Sequence, residues 1–292
     1  MARIQHNQHN PLFSSFRPNA LLKILLCGAL LVNSSALSAH TPVADVSTQS
    51  AHQGLSQQQL IQIDNQRKSQ LERFIRVFEA DNRYQQQQIS SELMLAGVSD
   101  VSLFDIIDHK LYLSLPDATT KTGINYSASL LKVLAYSGNP KYAQRFSKIV
   151  NGDYHKKLRK YAKKYQVLLD KYQVWNGILN NTHYYLPNES LHDNQLIAAI
   201  QSDELELKRT TARHIFKLKL NALPILNSLE RELKHPRLLE HNRLAIDTYA
   251  WMAKALAQSR LPQYRPLLSE ISATSPEKKL RGYAEDYLED YY

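Results

Sequence analysis

The chain has one cysteine, Cys27, and it stands in an N-terminal stretch that reads as a removable leader. The remainder therefore has no thiol, which excludes a disulfide staple, a thiolate nucleophile and a Cys-ligated zinc. Glycine is scarce too, at 8 in 292 residues, and the apolar residues do not alternate as half-buried strands require. That excludes a β-rich sandwich or barrel and favours an all-α protein. No glycine-rich phosphate loop, G-x-S-x-G elbow, H-E-x-x-H or EF-hand loop occurs. The familiar nucleotide, acyl-transfer, metalloprotease and calcium chemistries thus lack their residues. Apart from 24–32 there is no long apolar run, and that one is short for a membrane span.

What is present is a doubling. Shifted by 122 residues, Ile124–Tyr165 lies without a gap on Ile246–Tyr287, and 17 of the 42 positions are identical. Ile124, Ala128, Leu131 and Ala135 recur at steps of four, three and four, which is one face of a helix, and Ile246, Ala250, Ala253 and Ala257 repeat it. Pro140 and Pro262 then break the chain, as proline does just past a helix or in the first turn of the next. Tyr142, Phe146 and Ile149 match Tyr264, Leu268 and Ile271; Leu158, Ala162 and Tyr165 match Leu280, Ala284 and Tyr287. Each narrow apolar face is too small to be buried alone, so neighbouring units must stack to share a core.

HKKLRKYAKKY from His155, EKKLRGYAEDY from Glu277, ELKRTTARHIFKLKLNALPILNSL from Glu206, KVLAYSGNPKYAQRFSKIV from Lys132 and KALAQSRLPQYRPLLSEI from Lys254 together resemble short bacterial HEAT-like repeats. The resemblance spans most of 90–292 and implies an all-α solenoid of HEAT-like helical hairpins in two duplicated halves. It also implies a scaffold that presents a long groove to a partner.

Arg3, Arg17 and Lys23, an apolar run from Ile24 to Val32 and small residues from Ser34 to Ala39 form a secretory signal peptide over 1–39. Cleavage after Ser38 puts Ala36 at the minus-three position; cleavage after Ala39 puts the bulkier Leu37 there, so Ser38 is preferred. Lipidation at Cys27 is disfavoured because Leu26 stands where a small residue is needed. The expected address is periplasmic or secreted, with no transmembrane segment left once the signal is removed. Residues 40–55 read as a disordered leader, and Ser56 with Gln59 as a capping box. A first helical half is expected over 56–180, a linker over 181–194 and a second half over 195–292. The run Gln85–Gln88 reads as a solvated helix surface, 111–122 as a loop or broken strand, and the helix that starts near His155 as continuing to about Ile178.

Charge is where the copies part. Losing the leader lowers the formal net charge from +9 to +6. Residues 139–172 hold ten Lys or Arg against Asp153 and Asp170; the matching 261–292 holds four cations against six acids. The core stripe is kept while Lys163/Glu285 and Lys164/Asp286 reverse sign. Like charges within a turn or two repel. The candidate binding residues are therefore Lys156, Lys157, Arg159, Lys160, Lys163 and Lys164, a basic patch suited to an acidic partner; the rival reading is a solvated face balanced by acidic neighbours. A protein partner ranks first and an anionic envelope lipid or polymer second, with nucleic acid disfavoured by export. Head-to-tail self-association of basic middle and acidic end is a further option.

No residue is nominated as catalytic, no cofactor is expected, and His183, Glu189, His192 and Asp193 match no known metal spacing. His109, His155, His214, His235 and His241 read as helix-end residues. Tyr184, Tyr185, Tyr291 and Tyr292 are candidate contact anchors. The expected function is an exported, non-catalytic scaffold that binds another macromolecule through its groove or basic face; the alternative is a periplasmic enzyme with an unrecognised site in that groove.

Overall fold

Ser56 opens the first helix by a capping box: its Oγ accepts from the Gln59 backbone N–H at 3.3 Å, while its own N–H donates to Gln59 Oε1 at 2.9 Å. In this computed structural model the structure describes residues 54–239 and 242–292. The signal peptide, nearly all of the expected leader and His241 lie outside them. Among the described residues there are thirteen α-helices, three short 3₁₀ turns and no strand.

The helices are α1 (Gln57–Glu79), α2 (Arg83–Leu93), α3 (Val101–Ser114), α4 (Lys121–Ala135), α5 (Ala143–Asn151), α6 (Lys156–Gln166), α7 (Leu168–Leu179), α8 (Leu191–Gln201), α9 (Leu205–Leu218), α10 (Leu223–Lys234), α11 (Arg243–Gln258), α12 (Arg265–Thr274) and α13 (Lys278–Tyr291). Chain neighbours pair as hairpins, α3 with α4, α5 with α6, α8 with α9, α10 with α11 and α12 with α13. Alternate helices stack as well, α1 on α3, α4 on α6, α8 on α10, α9 on α11 and α11 on α13. Hairpins stacked in two layers make an α-solenoid, and it is built from two duplicated halves.

The doubling extends past the matched 42 residues. α2, α3, α4 and α6 recur 122 positions on as α9, α10, α11 and α13, and the end of α1 recurs as the end of α8. Left-handed corners recur as well: Gly97 (φ 62°) pairs with Lys219 (φ 54°), and Gly138 (φ 60°) with Arg260 (φ 56°). Ile124, Ala128, Leu131 and Ala135 are buried, as are Ala250, Ala253 and Ala257, while Ile246 is half-buried. Tyr142 and Tyr264 bury their rings and direct their hydroxyls to repeat-equivalent acceptors, Asp105 Oδ1 at 2.9 Å and Asn227 Oδ1 at 3.0 Å. Fully buried Phe74, Phe78, Phe104 and Phe146 anchor the shared core; truncating any one to Ala costs about 3–5 kcal/mol.

Several local expectations need correction. The helix from Lys156 stops at Gln166, and exposed Val167 separates it from α7. α3 extends through Ser114 with Leu111 buried, so only 115–120 is a turn. The expected linker 181–194 is mostly structured: α8 starts at Leu191, and Tyr185 packs with Ile63, Leu191 and Ala198 and donates to Leu179 O at 2.6 Å. Tyr185 is thus a core residue rather than a contact anchor. Leu55, at the end of the expected leader, packs on the same cluster. Gln86 is buried rather than solvated, because its Nε2 donates to Ala80 O at 2.7 Å and its Oε1 accepts from Tyr126 at 2.7 Å.

Candidate functional site

α6 turns Leu158 and Ala162, four apart, into the core, with Tyr161 and Tyr165 half-buried against it, which leaves the Lys and Arg positions of this short helix outward. His155 caps it, its Nδ1 accepting from the Lys157 N–H at 3.2 Å. Lys156, Lys157, Arg159, Lys160, Lys163 and Lys164 are all exposed. Among the described residues none of the six has a carboxylate oxygen within 4.0 Å. Other cations of the basic run are neutralised: Lys141 by Asp105 at 2.7 Å, Arg145 by Asp108 at 2.6 Å, and Lys171 by Glu206. The rival reading of balanced charge therefore describes these three and not the face of α6.

Aromatic rings interleave the ridge. Tyr161 and Tyr165 stack with centroids 5.9 Å apart, Lys157 lies 5.8 Å from the first ring and Lys164 5.7 Å from the second. The second copy keeps the ring pair, Tyr283 and Tyr287 at 6.3 Å, but exposes Glu285, Asp286, Glu289 and Asp290 around it. Like packing thus carries opposite fields.

A second feature was not nominated from sequence. α2 and α4 of the first half and α9 of the second enclose a cleft of about 560 Å³. Its polar wall carries Gln87, Ser90, Ser91, Ser129 and Thr210; its apolar wall is Met94, Val133 and Tyr136. Lys132, Arg213 and Lys217 enter it, and no carboxylate lines it. Recession into the cleft, then the like charges of Lys164 and Lys217, hold the Lys132 ammonium below its ordinary 10.5. Lys164 belongs to α6, so ridge and cleft share one positive field. Arg213 is placed by Trp251, its guanidinium 5.1 Å from that ring.

His214 closes the cleft. It is buried, its Nε2 has no hydrogen-bond partner, and its ring lies 6.0 Å from that of His192. Burial, then His192, pushes it down to about 4, with Lys217 adding to this and Glu92 opposing it. It is therefore neutral at physiological pH, and it lies within α9 rather than acting as a helix-end cation. Glu92 is held by Arg73. His183, Glu189, His192 and Asp193 do not converge, and no group of three or more potential ligands among the described residues is placed to hold a metal ion.

Sequence reasoning missed the cleft because Lys132 and Arg213 lie in different halves. One signal existed: Lys132 and Lys254 are identical in the repeat at a position outside the apolar stripe. In the second copy Lys254 lies 5.2, 5.6 and 5.4 Å from the rings of Phe216, Trp251 and Tyr287. The same residue type serves an aromatic cluster there and a cleft here.

No family model and no curated relative matches the chain. Among solved structures, human deoxyhypusine hydroxylase in complex with glycerol aligns over 82% of this chain and 92% of its own, at 11% identity and a TM-score of 0.31. A likeness that slight carries no argument about fold or activity.

Proposed function

We propose that the protein is an exported, non-catalytic helical-repeat scaffold that binds an acidic protein partner along the exposed face of α6. The observation that carries this reading is the set of six adjacent cations, Lys156 to Lys164, without a carboxylate within 4.0 Å among the described residues. Crowding them in three turns costs stability, and an acidic surface relieves the repulsion. The stacked Tyr161 and Tyr165 add flat, partly exposed rings of the kind favoured in contact surfaces. That stacked hairpins serve as scaffolds is fold-level analogy.

The test is affinity capture from envelope extract with the wild-type chain and with K156Q/K160Q/K163Q, at low and high salt. A specific acidic protein should be retained at low salt, released as the Debye length falls from about 10 Å at 0.1 M toward about 3 Å at 1 M, and not retained by the variant. Equal capture by the variant would sink the reading. Retention of anionic vesicles or envelope polymer in place of a protein would move the partner to that class.

A further inference from the structure

We propose that the cleft between α2, α4 and α9 is a binding site for a phosphoryl group borne on a small organic body. No α6 residue lines this cleft, although Lys164 adds to its field, and ligand binding here does not depend on α6 holding a partner. Three observations converge on it.

Lys132, Arg213 and Lys217 enter one concavity that no carboxylate lines. Among the described residues none of the three is within 4.0 Å of an acidic oxygen, and Glu92, the carboxylate that acts on His214, is already bidentate to Arg73. The three cations are exposed at the mouth of the cleft, where like charges repel one another, and a multiply charged anion bound between them removes that repulsion.

The polar lining comes from three helices, α2, α4 and α9. Ser90, Ser91 and Ser129 are back-bonded to the carbonyls of Gln86, Gln88 and Tyr126. Thr210 has no such bond, so its hydroxyl, the Gln87 amide and the three cations are available. Donors from three helices suit the three free oxygens of a tetrahedral phosphoryl group; a planar carboxylate would meet fewer of them. Finally, His214 Nε2 is a buried polar atom without a partner at this same wall. Such atoms are rare because they cost stability unless something satisfies them.

Room for the rest of the ligand is evident. About 560 Å³ lies within the range of small-molecule sites, roughly 300–1,000 Å³, and Met94, Val133 and Tyr136 offer an apolar wall. α2 and α9 are repeat-equivalent helices facing each other, with Ser91 of the first standing where Arg213 stands in the second. Divergence of the copies has thus made one wall neutral and the other basic.

The test is calorimetric titration of the full chain with inorganic phosphate and with phenyl phosphate, and flotation with phosphatidic acid against phosphatidylcholine vesicles. One site per chain is expected, with affinity about tenfold or more weaker in R213Q and in K132M, while K160Q/K163Q on α6 stays within about twofold at fixed ionic strength. Should R213Q fail to fold, judged by its melting curve, R213K supplies the loss of bidentate geometry with charge kept. Saturation by phosphate or phenyl phosphate supports a soluble ligand. Flotation with phosphatidic acid alone, lost in R213Q, supports a lipid headgroup as the source. No binding in any arm, or binding indifferent to both R213Q and K132M in folded protein, overturns the proposal. Loss of partner capture by α6 variants with phosphate binding intact would separate this site from the scaffold reading.

Discussion

Replacing Glu232 by Leu should be among the most damaging single changes available in the second half. Lys208 is fully buried and its Nζ lies 2.6 Å from Glu232 Oε1, with Glu232 itself 6% exposed. The same Oε1 accepts from Tyr249 at 2.8 Å, and Lys208 also donates to Ile200 O at 2.6 Å. Burial outweighs the carboxylate and holds the Lys208 ammonium below its ordinary value. With Glu232 gone the ammonium keeps only a carbonyl, and removing one partner of a buried pair costs about 3–5 kcal/mol. At about 2–4 °C per kcal/mol for a chain of this size, the melting temperature should drop by roughly 6–20 °C. Lys208→Met should cost less, because the stranded carboxylate still has Tyr249 and, at 3.8 Å, Arg237. The double variant should recover most of the loss: the first half fills the Lys208 position with neutral Gln86, bound to Tyr126 at 2.7 Å. The sign of the pH effect follows from a lysine whose folded pKa is depressed. In E232L the penalty is full below the depressed folded value of Lys208 and fades as pH rises through that value toward 10.5, because the folded side chain sheds its proton before the unfolded one does. Thermal melts across a double-mutant cycle at pH 7 and 9.5 measure all of this. A loss under about 1 kcal/mol in E232L, or additive losses in the double variant, would refute the reasoning.

Arg260→Gly should stabilise by roughly 0.5–1 kcal/mol, because Arg260 is exposed and holds φ at 56°; chemical denaturation reads the change. Gly138→Ala should instead cost several kcal/mol, since a Cβ there would sit 2.4 Å from the Gln173 backbone N and 2.6 Å from the Tyr172 carbonyl carbon. His214 is pushed down to about 4 by burial and then His192, with Glu92 opposing and Lys217 adding to the shift. Its contribution is present above 6.5 and lost as pH falls through 4, at most about 3 kcal/mol for such a shift. His214→Gln should flatten the melting temperature between pH 7 and 4, and an unchanged slope would remove His214 from the account. Lys163→Glu with Lys164→Asp copies the second half, so it should leave helix content unchanged and abolish salt-sensitive partner capture.

The repeat and its apolar stripe were legible because burial is written at helical spacing: Tyr142, Phe146, Ile149 and Leu158 are as enclosed as the pattern requires. The capping box at Ser56 was legible for the same local reason. Gln86 was misread because glutamine favours water unless a specific tyrosine and carbonyl await it, and those partners, Tyr126 and Ala80, come from other parts of the chain. Of the candidate site, the α6 ridge could be read because its residues are contiguous. The cleft could not, since Lys132 and Thr210 become neighbours only when the halves dock, and no local rule carries that distance.

The two halves differ most where α7 intervenes. Asn176 Nδ2 donates to Tyr136 O at 2.9 Å and Ser137 O at 3.2 Å, and Asn180 Nδ2 donates to Gly97 O at 2.6 Å. One helix thus serves both left-handed corners of the first half, and its backbone lies so close to Gly138 that no side chain fits. The equivalent corners of the second half, Lys219 and Arg260, are exposed, and there the backbone tolerates long side chains at the cost of strain. α7 also packs on α8, and its Lys171 pairs with Glu206 of α9. The helix that forces glycine into one copy therefore also joins α1 in fixing the second copy against the first. The cleft between α2, α4 and α9 exists because that docking brings the basic face of α9 over the neutral face of its own duplicate.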